Sequence, residues 1–274
     1  MALNLKSINM DTTQFIETIS KEMRHASCIV AMTGGGISVP SGVPMFDADN
    51  MMWGKYNFQK AEMLSHFEKD PSYHWIVAIG FLKTILRAMP NPAHIALASM
   101  EKNGNINAIV TTNLDHLHQE AGSKNVIEFH GSFVTSSCPK CSTRVTTYSC
   151  VKKFLNFSEN ELEKIFKQGK EIPRCKLCNA VLKVDIPFFD QGLPIAKAFE
   201  VERVAIAADL MLVIGTRLRM GPIGLLPNLV KANNGKVAII NLSETTFDKK
   251  ADYICRDYAE VVLPEIQNNL LEGL

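Results

Sequence analysis

SCIVAMTGGGISVPSGVP, residues 27–44, is the stretch on which the fold turns. Its first seven residues are apolar and β-branched with no polar alternation, the pattern of a strand buried on both faces, as in parallel sheets. Gly34, Gly35 and Gly36 end the run. Glycines after such a strand let backbone N–H groups approach a phosphate, and a following helix N-terminus would add a favourable dipole. Three glycines match the nucleotide-binding fingerprint only loosely, and an ordinary tight turn explains them equally well.

Upstream, DTTQFIETISKEMRHA (11–26) puts Phe15, Ile16, Ile19 and Met23 on one face behind Asp11, Thr12 or Thr13 as caps, which predicts an amphipathic helix. Downstream, INAIVTTN (106–113), VIEF (126–129), DLMLVIG (209–215) and KVAIIN (236–241) repeat the buried-strand pattern between segments of helical composition. The helical spacing of residues 193–208 leads directly into the DLMLVIG run. The expected class is α/β, with parallel strands joined by helices. Two regions interrupt the alternation: residues 47–92, rich in Met, Trp, Tyr and Phe, and residues 133–185, which hold cysteine pairs around the charged segment ENELEKIFKQGK.

The chain has 274 residues and 46% apolar content, enough for a core of its own. Lysine and arginine total 29 against 28 acidic residues, so no excess charge argues for a nucleic-acid partner or an anionic membrane surface. With neither a signal-type N-terminus nor a membrane-length apolar run, the sequence reads as soluble and intracellular, with cytoplasmic localisation expected.

Of seven cysteines, four form two C-x-x-C pairs, Cys138/Cys141 and Cys175/Cys178. Each pair can bend into a knuckle presenting two thiolates, and four thiolates at about 2.3 Å satisfy tetrahedral zinc with no open position. Such a zinc site would be structural, closing an excursion whose own core is small. A redox dithiol needs only one pair, and an iron–sulfur cluster usually shows other spacing. Cys28 and Cys255 sit among apolar neighbours as small core residues, and Cys150 lacks the paired spacing.

Taken together and in order, TGGGISVPSGVP (33–44), TTNLDHLHQEAG (111–122), VIEFHGS (126–132), the two cysteine pairs, GTRLRMGP (215–222) and IIN (239–241) resemble the sirtuin family over roughly residues 26–264. The resemblance implies a Rossmann-like NAD-binding domain (1–46, 93–132 and 186–274) and a smaller domain made of a helical module (47–92) and a zinc module (133–185). An acylated protein substrate would enter the cleft between them. It implies NAD-dependent protein-lysine deacylation, in which nicotinamide is cleaved from NAD and the acyl group passes to ADP-ribose.

By the same resemblance His130 is the general base, a role that suits a side chain with an unperturbed pKa near 6.5. Alone, a histidine beside an apolar strand is more often a core residue. Asn113 and Asp115 match the family's N-x-D, the aspartate holding the nicotinamide carboxamide and the asparagine orienting ribose and water; outside the motif they would be turn formers or caps. His118 falls in the L-H that follows and reads as a structural hydrogen-bonding residue. Implied cofactor contacts are Gly34, Gly35, Gly36, Ile37, Pro44, Phe46 and Thr112, then Gly215, Thr216, Arg217, Asn241, Leu242 and Ala259 toward the adenine end. Implied substrate contacts are Ile186, Phe188 and Asp190.

The match has departures. Where the family reads P-D-F-R, this chain has Pro44-Met45-Phe46-Asp47, an acid in place of an arginine. The peptide-groove segment V-V-x-F-G-E becomes Ile186-Pro187-Phe188-Phe189-Asp190-Gln191, in which a proline removes a backbone donor. Thr112 replaces a frequent glutamine and Arg217 a serine. These changes keep two alternatives open: protein ADP-ribosyl transfer or NAD hydrolysis on the same fold, and a binding module that holds NAD or ADP-ribose without turnover. Oligomeric state is not read from the sequence.

Overall fold

The computed structural model describes residues 8–45, 61, 63–167, 171–188, 190, 192 and 195–272. A parallel seven-stranded sheet is formed by β1 (Ile8–Asn9), β2 (Ile29–Thr33), β3 (Ala108–Thr111), β4 (Val126–Glu128), β8 (Leu210–Ile214), β9 (Lys236–Ile240) and β10 (Tyr253–Cys255), in the order β1-β10-β9-β8-β2-β3-β4. Every residue of β2, β3 and β8 is buried, which is why these strands read as unbroken apolar runs. All five strands expected from sequence form. The expectation omitted β1 and β10, two and three residues long, whose patterns are too short to stand out.

Helices cover both faces. On one, helix Thr12–His25 buries Phe15, Ile19 and Met23 in a core shared with helix Ala259–Glu272, which in turn packs on helix Pro92–Lys102. Each such side chain contributes roughly 1.5–3 kcal/mol relative to exposure. Asp11 caps the first helix by accepting from the Gln14 N–H at 2.9 Å. The opposite face packs helices Ile195–Ala207 and Leu226–Ala232 through Val201, Ala205 and Val230.

A second core joins helix Ser72–Ile85 to a small antiparallel sheet of β5 (Ser132–Ser137), β6 (Arg144–Thr146) and β7 (Lys183–Asp185), ordered β6-β5-β7. Trp75, fully buried, donates from its indole to Leu182 O at 3.1 Å. His74 bridges Ala61 O (3.2 Å) and the Val184 N–H (3.2 Å), which fixes a neutral tautomer donating through Nδ1. The charged segment ENELEKIFKQGK supplies helix Glu159–Phe166, whose Leu162 and Phe166 enter this core.

Candidate active site

From β2 the chain steps to β3 and β4 on one side, then resumes at β8 on the other, so the direction of winding reverses between β2 and β8. A crevice opens there beyond the carboxyl ends of the strands, the place where doubly wound sheets bind ligands. Its packing explains the glycines. A side chain at Gly34 would come within 2.7 Å of Thr216 Cβ, and one at Gly36 within 2.8 Å of Gly215 Cα. Gly215 itself has φ +63° and lies against Ile37 N. The N–H groups of Gly34 and Gly36 donate to Ile214 O (3.0 Å) and Gly215 O (2.8 Å), so these two glycines serve the close approach of two loops.

The crevice runs into a cavity of about 950 Å³ that reaches the second core. Asn113 and Asp115 project from the end of β3 and are buried. Asn113 Nδ2 donates to Ser38 Oγ at 3.0 Å, and its backbone N–H to Thr111 Oγ1 at 3.1 Å. Asp115 accepts from the Leu117 N–H at 3.0 Å and also hydrogen bonds with Ser38. Burial nevertheless raises its pKa above the usual carboxylate value, as removal of a charge from water requires.

Behind these residues lie two buried histidines with rings 4.9 Å apart. His94 Nδ1 faces the Asn91 N–H (3.4 Å), which leaves Nε2 to donate toward Ser38 Oγ (3.4 Å). Thr33 Oγ1 donates to Thr111 Oγ1 (2.8 Å), so His118 Nε2 (2.9 Å) must be the donor to Thr33. His118 Nδ1 is then a buried lone pair with no partner. Desolvation depresses both imidazoles, His94 to about 4 and His118 to about 3.

His130 follows β4. Its Nε2 is buried and has no hydrogen-bond partner among the described residues, and its ring meets that of Phe129 edge-on at 5.0 Å. Burial, and after it the positive charge of Lys197, holds its pKa below the ordinary imidazole value. Gly131 makes the turn possible: at φ +82°, a Cβ there would fall 1.9 Å from Asp185 O. A neutral, desolvated imidazole lining a cavity is equipped to take a proton from a bound hydroxyl.

Away from the cavity, the four Sγ atoms of Cys138, Cys141, Cys175 and Cys178 all lie within 4.8 Å of one another. The closest pairs, 138/178, 141/175 and 141/178, are at 3.4, 3.5 and 3.6 Å. Ligands about 2.3 Å from one tetrahedral zinc stand about 3.8 Å apart, so the set fits that ion. The two knuckles are built alike. Ser142 N–H returns to Cys138 O and Asn179 N–H to Cys175 O, each at 2.9 Å, with Ser142 and Asn179 both at φ +59°. Four thiolates leave no open position, so a zinc here would hold the fold without touching substrate.

Comparison with known proteins decides the family: residues 34–222 match the Sir2 family profile. The chain belongs to the Sir2 family. It is 39% identical over 258 residues to an NAD-dependent protein deacetylase of Saccharolobus solfataricus, covering 94% of this chain and 98% of that protein. A solved Sir2 homologue in complex with NAD superimposes with a TM-score of 0.80 at 29% identity, covering 94% of each chain. A Sir2 protein bound to an acetylated peptide does so with a TM-score of 0.76 at 31% identity, covering 94% of this chain and 98% of that one.

Among the residues expected from sequence, this Sir2 protein gathers Gly35, Gly36, Pro44, Thr112, Asn113, Asp115, His130, Ile186, Phe188, Gly215, Thr216, Arg217, Asn241, Leu242 and Ala259 around the one cavity. Gly34 and Ile37 are not among its lining residues: Gly34 packs against Thr216, and Ile37 is fully buried in the core beneath the loop. Asp190 also stands apart. Its carboxylate accepts from the N–H groups of Leu64 (2.9 Å) and Ser65 (3.3 Å), tying its segment to helix Leu64–Lys69. Phe46 and the Asp47 departure lie outside the described residues.

Sequence reading missed Ser38 and His94, the pair that links Asn113 and Asp115 to the body of the fold. Ser38 carries no signal of its own in GISVPSG. His94 sits at the third position of a helix capped by Asn91 with Pro92 first, where a local role suffices to explain it. No helix among the described residues is long and apolar enough to cross a membrane.

Proposed function

We infer that this chain is an NAD-dependent protein deacylase of the sirtuin type that removes an acyl group from lysine side chains and transfers it to ADP-ribose. The observation that carries the reading is the meeting, in one cavity, of His130 with Asn113 and Asp115 at the switch point of a nucleotide-binding sheet. A Sir2 homologue holds NAD, and another Sir2 protein binds an acetylated peptide.

In this reading Gly215, Thr216, Arg217 and Asn241 would hold the adenine side of NAD, and Asn113 and Asp115 its nicotinamide side. Buried, with the Leu117 N–H and Ser38 on its carboxylate, Asp115 is fixed in place to meet a carboxamide. Asn113, oriented through Ser38, addresses the ribose. His130, held neutral at the cavity wall, would take the proton of a ribose hydroxyl of bound NAD, the general-base chemistry the transfer of the acyl group to ADP-ribose needs. Acylated substrate enters by Ile186 and Phe188, which line the end of the cavity nearest the small sheet. A zinc ion on the four cysteines supplies folding free energy to that sheet.

The test is incubation of the protein with NAD and a panel of acyl-lysine peptides, followed by mass analysis. Nicotinamide release with equimolar acyl-ADP-ribose is expected. Label from NAD appearing on protein, with no acyl-ADP-ribose, would assign ADP-ribosyl transfer instead. Tight NAD binding with no nicotinamide release over hours would leave a binding module.

A further inference from the structure

Among the described residues close to the base, Lys197 is a charged side chain that the catalytic description leaves unused. It lies in the first turn of helix Ile195–Ala207, is only partly exposed, and donates to the backbone carbonyl of Glu128, two residues before His130. Among the described residues no carboxylate pairs with it. The neighbouring acids are committed elsewhere: Glu128 Oε1 to His116 Nδ1 at 3.2 Å, and Asp185 to Arg144 (2.8 Å) and Thr135 (2.6 Å). Glu200 lies one turn further along the same helix and acts on Lys197 only through space.

A half-buried ammonium satisfied only by a neutral carbonyl is costly, because its charge is taken out of water without an opposite charge in return. Burial accordingly lowers the pKa of Lys197. A fold can avoid that cost with a shorter neutral residue, so the charge invites a functional account.

We propose that Lys197 is a positioning residue for His130: its ammonium anchors the carbonyl end of β4 and brings near the imidazole a positive charge that no carboxylate hydrogen-bonds, favouring the neutral, proton-accepting form. The other titratable groups around the pair are Asp115 and His116 beyond β3, Glu128 on β4, Asp185 and Arg144 on the small sheet, and Glu200. With Glu128 turned to His116 and Asp185 to Arg144, the positive charge of Lys197 opposes protonation of His130 in the same direction as burial. The consequence is a base that keeps working as pH falls below the ordinary imidazole range.

This inference rests on the assignment of His130 as base, and the experiment separates the two. In the full-length zinc-loaded protein, the His130 ring proton is titrated by NMR, the signal being identified by its loss in His130→Ala. The pH profile of kcat/KM is measured alongside. In Lys197→Met the imidazole titration should move to higher pH and the acid limb of kcat/KM should move with it, whereas Lys197→Arg should resemble the parent. Lys197→Gln serves if the methionine variant is poorly folded.

An unmoved titration in the neutral variants overturns the proposal, as does an arginine variant that shifts as far as the methionine one. A uniform fall in kcat/KM with the titration unchanged also overturns it, since that is what a merely structural lysine would give. A titration that moves while the acid limb stays put upholds the action of Lys197 on the ring and removes His130 from the role of base.

Discussion

Mild acid should destabilise this protein through two buried histidines that lie behind the candidate site. His94 and His118 are buried and neutral, with pKa values of about 4 and about 3 against 6.5 when exposed. Because the folded values are depressed, the unfolded chain binds more protons below pH 6.5, so the contribution to stability is complete above that value and declines as pH falls toward 4 and then 3. At pH 5 an unfolded histidine is almost wholly protonated and the folded ones almost wholly neutral. Linkage then gives a loss of about 2 kcal/mol for each, about 4 kcal/mol for the pair between pH 8 and pH 5. A domain holds only about 5–15 kcal/mol, so the loss is large. The structural reason is sharpest at His118. Its Nε2–H is committed to Thr33, and a second proton would go to Nδ1, which has no acceptor.

Urea denaturation followed by tryptophan fluorescence at pH 8 and pH 5 measures the effect. Thiolate ligands also weaken in acid, so the decisive quantity is a difference: His118→Leu should lose about 2 kcal/mol less than the parent over the same interval. If the parent and His118→Leu lose stability equally between pH 8 and pH 5, the assignment of the acid sensitivity to this ring is refuted.

Three further outcomes are expected. Replacing His130 by alanine should lower kcat/KM for deacylation by about 10²–10⁴, the ordinary worth of a general base, while calorimetry shows NAD affinity retained; unchanged turnover would exclude the role. Cys175→Ser should take bound zinc from one equivalent to none by metal analysis and expose Trp75, whose core includes Cys138 and Cys175, as a red shift of its emission. Gly131→Ala should destabilise by about 2 kcal/mol or more, since it combines positive φ with a Cβ placed on the Asp185 carbonyl; a thermal melt matching the parent would contradict the described turn.

The parallel strands were legible because burial on both faces leaves no room for polar alternation, so IVAMT, AIVT, LMLVI and KVAII announce themselves. β10 was not, since Tyr253–Cys255 offers three residues between Asp252 and Arg256, too few for a period to appear. The cysteine pairs were legible because two ligands of one ion must lie close in sequence to share a knuckle. Asp190 reads as a groove residue by its place in the peptide segment, yet its carboxylate is spent on Leu64 and Ser65, more than a hundred residues away in sequence. Ile37 likewise follows the glycines directly but points into the core, because the tight turn of Gly35–Ser41 rotates it away from the crevice.

By itself the sequence determined the class of fold and the family and pointed to candidate reacting side chains, because these rest on local patterns: unbroken apolar runs, glycines after a strand, paired cysteines, N-x-D and H-G in order. Tertiary structure alone decided the state of those side chains. That Asn113 is held by Ser38, that the His118 ring is held against Thr33, and that Lys197 reaches the Glu128 carbonyl are relations between residues 69 to 85 positions apart. Proton affinity is set by desolvation and by nearby charge, quantities that exist only once the chain has brought distant groups together and excluded water from between them.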